Sequence, residues 1–200
     1  MGRGVAGRDN LIPALGNQLV AVGTHTVYTN TVCTNTVCTT QSSTCLGDGE
    51  YSFVARSNDT ASQIAVAVNV ISATNAMGYT AIATPTAKVY LPNVTRTLGG
   101  SDGWTTPILL QTVGTGATGA TLRWYRFSDG ALVNTQTVEV ASGKGLRVDP
   151  RSVTQLQENT QYSVVIDGTG GTVAAIVMEL AGGGDNAMIY EGFPPPPSPP

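Results

Sequence analysis

The sequence predicts an all-β chain of two tandem β-sandwich modules, the first incomplete within the chain. The first observation behind this is a repeat. Tyr51–Tyr79 reads YSFVARSNDTASQIAVAVNVISATNAMGY and Tyr162–Tyr190 reads YSVVIDGTGGTVAAIVMELAGGGDNAMIY. The opening Tyr-Ser pairs and the closing Asn-Ala-Met-x-Tyr runs are both 111 residues apart, and self-similarity at a fixed offset marks a duplicated structural unit. The same offset pairs Val22 with Val133, Thr24 with Thr135 and Thr26-Val27 with Thr137-Val138. The second observation is residue usage: Thr, Val, Ile and Tyr suit pleated strands, and 24 glycines with 11 prolines punctuate them. The third is period-2 alternation of apolar and polar residues through most segments, with no convincing amphipathic helix; Val153–Glu158 has room for one turn.

In chain order, residues 1–22 read as an extended arm carrying Leu11, Ile12, Ala14, Leu15, Leu19 and Val20. Residues 23–84 form the first module. It opens on a Thr-rich strand (HTVYTNTVCTNTVC), followed by a turn-rich loop over Gln41–Gly49. Tyr51–Arg56 and Ile64–Ile71 follow as strands about the polar turn Ser57–Ser62. The nearly continuous apolar run of the second suits a strand covered on both faces. Asn75–Ile82 is a short strand, and Thr84-Pro85 a linker.

Residues 85–193 form the second module, with strands at Lys88–Val94, Trp104–Val113 and Thr121–Phe127. Ser128-Asp129-Gly130 is a hairpin turn into Ala131–Val140. Gly143–Val148, Gln161–Ile166, Val173–Leu180 and Ala187–Tyr190 complete the set. Residues 194–200 (PPPPSPP) form a polyproline tail, which favours a stiff extended helix with solvated carbonyls. Subtracting 111 from the first two strands of this module puts them at or before residue 2. The first module is therefore expected to lack about two front strands, leaving unpaired backbone and a half-covered core.

Composition excludes several function classes. The net charge of −3, with 12% charged residues, argues against nucleic acid, whose phosphates require basic patches. No apolar run reaches the length needed to span a bilayer, and Met1–Asn10 lacks the apolar core of a signal peptide. The single histidine, His25, leaves no base for a catalytic triad. The acids Asp48, Asp59, Asp102, Asp129, Asp149, Asp167 and Asp185 are spread singly over turns, where Asp shapes tight bends. The glycine runs Gly168–Gly171 and Gly182–Gly184 lack the phosphate-loop pattern. Neither enzyme chemistry nor a cofactor is expected.

Cys33, Cys38 and Cys45 lie in one Thr-rich stretch, and their odd number leaves one thiol over if two pair. Their spacing fits no zinc pattern, so no metal is expected. A disulfide there fits an extracellular setting. Asn58 and Asn93 head acceptor tripeptides for N-glycosylation.

The run LPNV…GWTTPILLQTVGTGAT…LRWYRFSDGALV…YSVVIDG…AAIVMEL…NAMIYEG resembles tandem Ig-like β-sandwich modules of exported bacterial surface proteins, over residues 87–192 and partly over 20–82. The resemblance implies a cell-surface or extracellular scaffold without assigned chemistry. A module short of strands is also similar to subunits of strand-exchange pili. In those, a neighbour's arm completes the sheet by β-augmentation. The expected function is a non-enzymatic subunit of an extracellular filament whose partners are copies of itself, joined by the arm of Leu11, Ile12, Leu15, Leu19 and Val20. The alternatives are a surface adhesin that binds glycans through Trp104, Trp124 and turn aspartates, and a virion decoration or tail protein.

Overall fold

The computed structural model describes residues 3–4, 18–19, 33–34, 37–38, 66–71, 76–100, 102–114, 116, 119–141, 144–182 and 187–196. The chain divides into two compact units, Met1–Val66 and Ala67–Pro200. In the first, the described backbone forms two short pairings. β1 (Arg3–Gly4) runs parallel to β2 (Gln18–Leu19), and β3 (Cys33–Thr34) runs antiparallel to β4 (Val37–Cys38).

The second unit contains β5 (Ala67–Ile71), β6 (Ala76–Thr80), β7 (Lys88–Thr95), β8 (Ile108–Val113), β9 (Gly119–Arg126), β10 (Leu132–Glu139), β11 (Gly145–Val148), β12 (Gln161–Thr169), β13 (Thr172–Leu180) and β14 (Ala187–Glu191). Among the described residues the one helical element is a 3-10 turn, Pro150–Ser152. The chain is all-β, and its main body is sandwich-like. One antiparallel sheet has the order β10-β9-β12-β7 and the other β11-β8-β13-β14. The connections β7–β8, β8–β9, β10–β11, β11–β12 and β12–β13 all cross between sheets, so each sheet is closed by strands distant in sequence.

Alternation builds the core as period-2 patterning requires. β8 and β12 alternate between buried and half-exposed positions. Leu91, Leu122, Trp124, Tyr162, Val164 and Ile166 of one sheet meet Ile108, Leu110, Val173 and Val177 of the other in one cluster. The sequence leaves room for one helical turn at Val153–Glu158; the helical turn that forms lies just before it, at Pro150–Ser152. Asp149 caps it through its side chain and proline occupies the first turn, the pairing of cap and proline that starts helices. Val153 and Leu156, 6% and 2% exposed, then plug one end of the core.

One strand departs from its expected bounds and another carries a bulge, each for a local reason. The strand expected at Trp104–Val113 is regular only from Ile108. Pro107 has no N–H to give, and the Thr106 hydroxyl accepts from the Thr95 amide (2.5 Å) and donates to the Thr95 carbonyl (3.2 Å). In β7 the register with β12 shifts where Pro92 and Asn93 oppose Ser163. That is a bulge on an edge strand, the place where a sheet tolerates proline.

The ends of the sandwich segment change sheets. Thr86 pairs with Val173 of one sheet before β7 enters the other. Conversely, β14 pairs with β13, and Phe193 then pairs with Tyr90 of β7. Gly192 makes that crossing. A Cβ there would lie 2.2 Å from Val89 Cγ1 and 2.9 Å from Leu91 Cδ2, so no side chain fits without repacking.

Candidate functional site

The β5–β6 hairpin forms a two-stranded sheet among the described residues. Its register runs from Ala67↔Thr80 to Ile71↔Ala76, and among the described residues β5 pairs with β6 alone. The 111-residue offset maps Ala76–Thr80 onto Ala187–Glu191, so β6 is the counterpart of β14. Ala187 pairs with Leu180, whereas Ala76 pairs with Ile71, the counterpart of Gly182. The two hairpins therefore differ by a slide of two residues, which leaves each residue on its own face of the strand. β6 belongs to the same compact unit as the sandwich, although the repeat assigns it to the first module. It lies against β14: the Thr80 amide (3.0 Å) and hydroxyl (2.5 Å) both donate to Glu191 Oε1. The touching residues are repeat counterparts. Burial raises the Tyr79 pKa above its ordinary value, and the Glu191 carboxylate adds to the rise.

A polar bridge joins the sheets beside β14. Asn93 donates through Nδ2 to Glu179 Oε1 (2.7 Å) and accepts at Oδ1 from Gln161 Nε2 (2.9 Å). Tyr190 donates to the Asn93 carbonyl (2.5 Å) and receives the Asn93 amide (3.3 Å). Burial raises the Tyr190 pKa well above the usual tyrosine range; the Asn93 hydrogen bond opposes this and Glu179 adds to it. The Asn93 nitrogen that would carry a glycan is thus already a donor inside the fold. The bulge at Pro92–Asn93 accompanies this reach from one sheet to the other.

The acids of the sandwich hold structure. Asp129 accepts from the Ala131 amide and pairs with Arg126 at 2.8 Å, closing the β9–β10 turn. Asp149 caps the 3-10 turn and pairs with Arg151 at 2.7 Å, whose hydrogen bond chiefly holds its pKa below the ordinary carboxylate value. Asp167 corrects the expectation that the acids all lie in turns. It sits within β12, opposite Lys88 and Thr121, with its oxygens engaged by Lys88 (3.2 Å) and Arg123 (2.5 Å).

Trp124 is 0% exposed, so it offers no ring face for stacking on a sugar; the glycan-binding alternative loses half of its aromatic pair. Trp104 is half-buried and pairs with Leu98. Of the assembly-arm residues, Leu19 lies in β2 opposite Gly4. Leu11, Ile12, Leu15 and Val20 lie outside the described residues, as do Cys45 and Asn58. Cys33 and Cys38 are register partners across β3–β4. Among the described residues no group of three or more His, Cys, Asp or Glu is placed to hold a metal, and no helix is long and apolar enough to cross a membrane. Sequence reasoning missed Gly192 and Glu191. The repeat signals both: the offset sets Gly192 against Ala81 and Glu191 against Thr80.

No protein-family model matches the chain, and no curated protein matches it. Among solved structures, the crystal structure of Thermotoga maritima 1070 is similar over 55% of this chain and 94% of its own, at 12% identity and a TM-score of 0.45. A likeness at that level carries no inference about this chain.

Proposed function

We propose that the chain is a non-enzymatic structural subunit of an extracellular filament, joined head to tail by β-strand complementation between copies. The observation that supports this is the one-sided pairing of β5. Its counterpart in the sandwich, residues 178–180 at the end of β13, pairs with β14 on one side and hydrogen-bonds Pro107 and Thr105 on the other, while β5 has β6 alone among the described residues. An open edge of an apolar strand is a template for a further strand. A partner's extended segment laid along it recovers main-chain hydrogen bonds and fills alternate side-chain pockets.

The donor in this reading is the arm of residues 5–22, with Leu11, Ile12, Leu15, Leu19 and Val20 as the buried set. Five aliphatic side chains at about 1.5–3 kcal/mol each give a gross gain of about 10 kcal/mol. Association and ordering then cost several kcal/mol of that. A contact of this kind does not close on itself and grows an open polymer.

Removal of residues 1–20 tests the reading. The truncated chain should run as monomers or short oligomers on size exclusion, and negative-stain images should show no fibres. A peptide of residues 5–22 should bind the truncated chain. Fibres of normal length from the truncated chain would remove the arm from the mechanism, and a full-length chain that stays monomeric at high concentration would remove the filament.

A further inference from the structure

The four edge strands of the sandwich are guarded unequally. β11 has only four residues. β14 has β6 beside it, through Thr80 and Glu191. β7 carries the Pro92–Asn93 bulge, and Phe193 bonds both the amide (2.8 Å) and the carbonyl (2.9 Å) of Tyr90. β10 has eight residues and pairs on one side only among the described residues. It contains no lysine and no proline, its one charge is Glu139 at the end, and its bulge at Val133 leaves Asn134–Glu139 regular. Natural edges are blunted by shortness, proline, lysine or a covering segment; among the described residues β10 shows none of these.

Antiparallel strands bond through alternate residues, and this fixes which groups of β10 face outward. The Arg126 amide donates to the Ala131 carbonyl across the β9–β10 turn, and the Phe127 amide donates to the Gln161 carbonyl of β12. Even-numbered residues of β9 therefore bond toward β10 and odd-numbered ones toward β12. By register Asn134, Gln136 and Val138 oppose Trp124, Leu122 and Ala120, so these are the residues of β10 tied to β9. The amides and carbonyls of Thr135, Thr137 and Glu139 point the other way, at positions where the strand is exposed. Main-chain groups in that alternation are met by another extended strand.

We infer that the β10 edge is an interface with a second copy of this chain, the two β10 strands running antiparallel about a two-fold axis. Directly opposite residues share a face of the sheet, so keeping both cores on one side requires odd residues to meet odd. A register centred on Thr137 does this. Thr137 opposes Thr137 of the second copy and Thr135 opposes its Glu139, so the outward amides and carbonyls are all met. Length selects a copy of the same strand: β5 has five residues and β11 four, and either would leave part of the edge bare. Side-chain chemistry agrees. Threonines pair well across strands, and the Thr137 hydroxyl already lies 3.3 Å from that of Thr121 on its other side. Glu139 comes beside Thr135, the neighbour of Arg123, which sets opposite charges in one row. A parallel, in-register partner would set Glu139 against Glu139, which destabilises a sheet. The contact uses neither the arm nor the β5 edge, and a two-fold contact closes on itself, giving a pair.

Amide hydrogen exchange of the full-length chain, read residue by residue over a concentration series, tests this. Exchange at Thr135, Thr137 and Glu139 should slow about tenfold or more as concentration rises, while Asn134, Gln136 and Val138 stay protected throughout. Thr137→Lys should leave Thr135 and Glu139 in fast exchange at every concentration, as should Thr137→Asp. The melting temperature of either variant in dilute solution should not change, because the residue is exposed. An equimolar mixture of the two variants should restore the slow exchange, since opposite charges then meet at the axis. Fast exchange at the outward amides at the highest concentration overturns the inference, as does protection that ignores concentration or survives Thr137→Lys. A mixture that restores nothing would put a strand other than β10 on this edge, and overturns it too. The readout is confined to β10, so a failure of filament formation leaves its result intact.

Discussion

The hairpins β5–β6 and β13–β14 are written with the same Asn-Ala-Met-x-Tyr signature and both pair antiparallel, two residues apart in register, yet they have different surroundings. The end of β13 that corresponds to β5 is bonded on its far side by Thr105 and Pro107; β5 meets no strand there among the described residues. β14 runs on through Gly192 to pair with β7, whereas the counterpart of Gly192 is Ala81, which carries the Cβ that this crossing excludes. Tyr190 is held by the Asn93 backbone, while Tyr79 lies under the influence of Glu191. A duplicated sequence thus specifies a hairpin through local pairing, but membership of a closed sandwich depends on a handful of residues around it.

The largest expected difference between the two regions lies in the core. Trp124→Ala removes the largest fully buried side chain, and such truncations cost about 3–5 kcal/mol. Val68→Ala in β5, where the side chain is half-buried, should cost about 1 kcal/mol or less. Urea denaturation followed by tryptophan fluorescence and circular dichroism measures both. Equal losses at the two sites would mean that the hairpin is as deeply integrated as the sandwich, and that β5 has no edge to spare.

Gly192→Ala writes the residue of one copy into the other. The new methyl meets Val89 and Leu91, which are 4% and 0% exposed, and valine is stiff about χ1. Overpacking of this kind costs about 1–3 kcal/mol. The converse change, Ala81→Gly, has no crossing to relieve and should lower stability only by the greater freedom of glycine in the unfolded chain, a few tenths to about 1 kcal/mol. Thermal melts of the two variants decide whether the crossing is what separates the copies.

Much of this was legible in the sequence. The strands of the sandwich appear where alternation places them, because a half-buried sheet imposes its period of two on every strand that joins it. The hairpin turn at Ser128–Gly130 follows from residue chemistry: Gly130 has φ +69° and Asp129 bonds the chain two residues on. Other features were not legible. Asp167 looks like a turn acid beside Gly168, and only the pairing of β12 with β7 and β9 brings Lys88 and Arg123 to it. The pairing of Phe193 with Tyr90 is set by where β14 ends in space. The Asn93–Glu179–Tyr190 bridge joins residues nearly a hundred apart through a bulge that no local pattern announces.

The smallest difference lies in the two closing tyrosines and is best seen in alkali. Burial raises the pKa of both in the folded state, further for Tyr190. The unfolded chain releases these protons near pH 10, whereas the fold keeps them. The stabilisation is therefore fully present below about pH 10 and declines as pH rises past it. The loss is at most about 1.4 kcal/mol per pH unit for each group, and less in practice because both rings are partly solvated. Tyr190→Phe should cost about 0.5–1.5 kcal/mol at neutral pH, since the Asn93 carbonyl loses its donor, and should flatten the alkaline decline. Tyr79→Phe should be nearly neutral at pH 7 and flatten the decline less. Urea midpoints taken from pH 7 to 11 read both effects. If the Tyr190→Phe variant falls as steeply as the parent above pH 10, Tyr190 is not the protonated group that the fold protects, and the bridge to Asn93 no longer distinguishes the two copies.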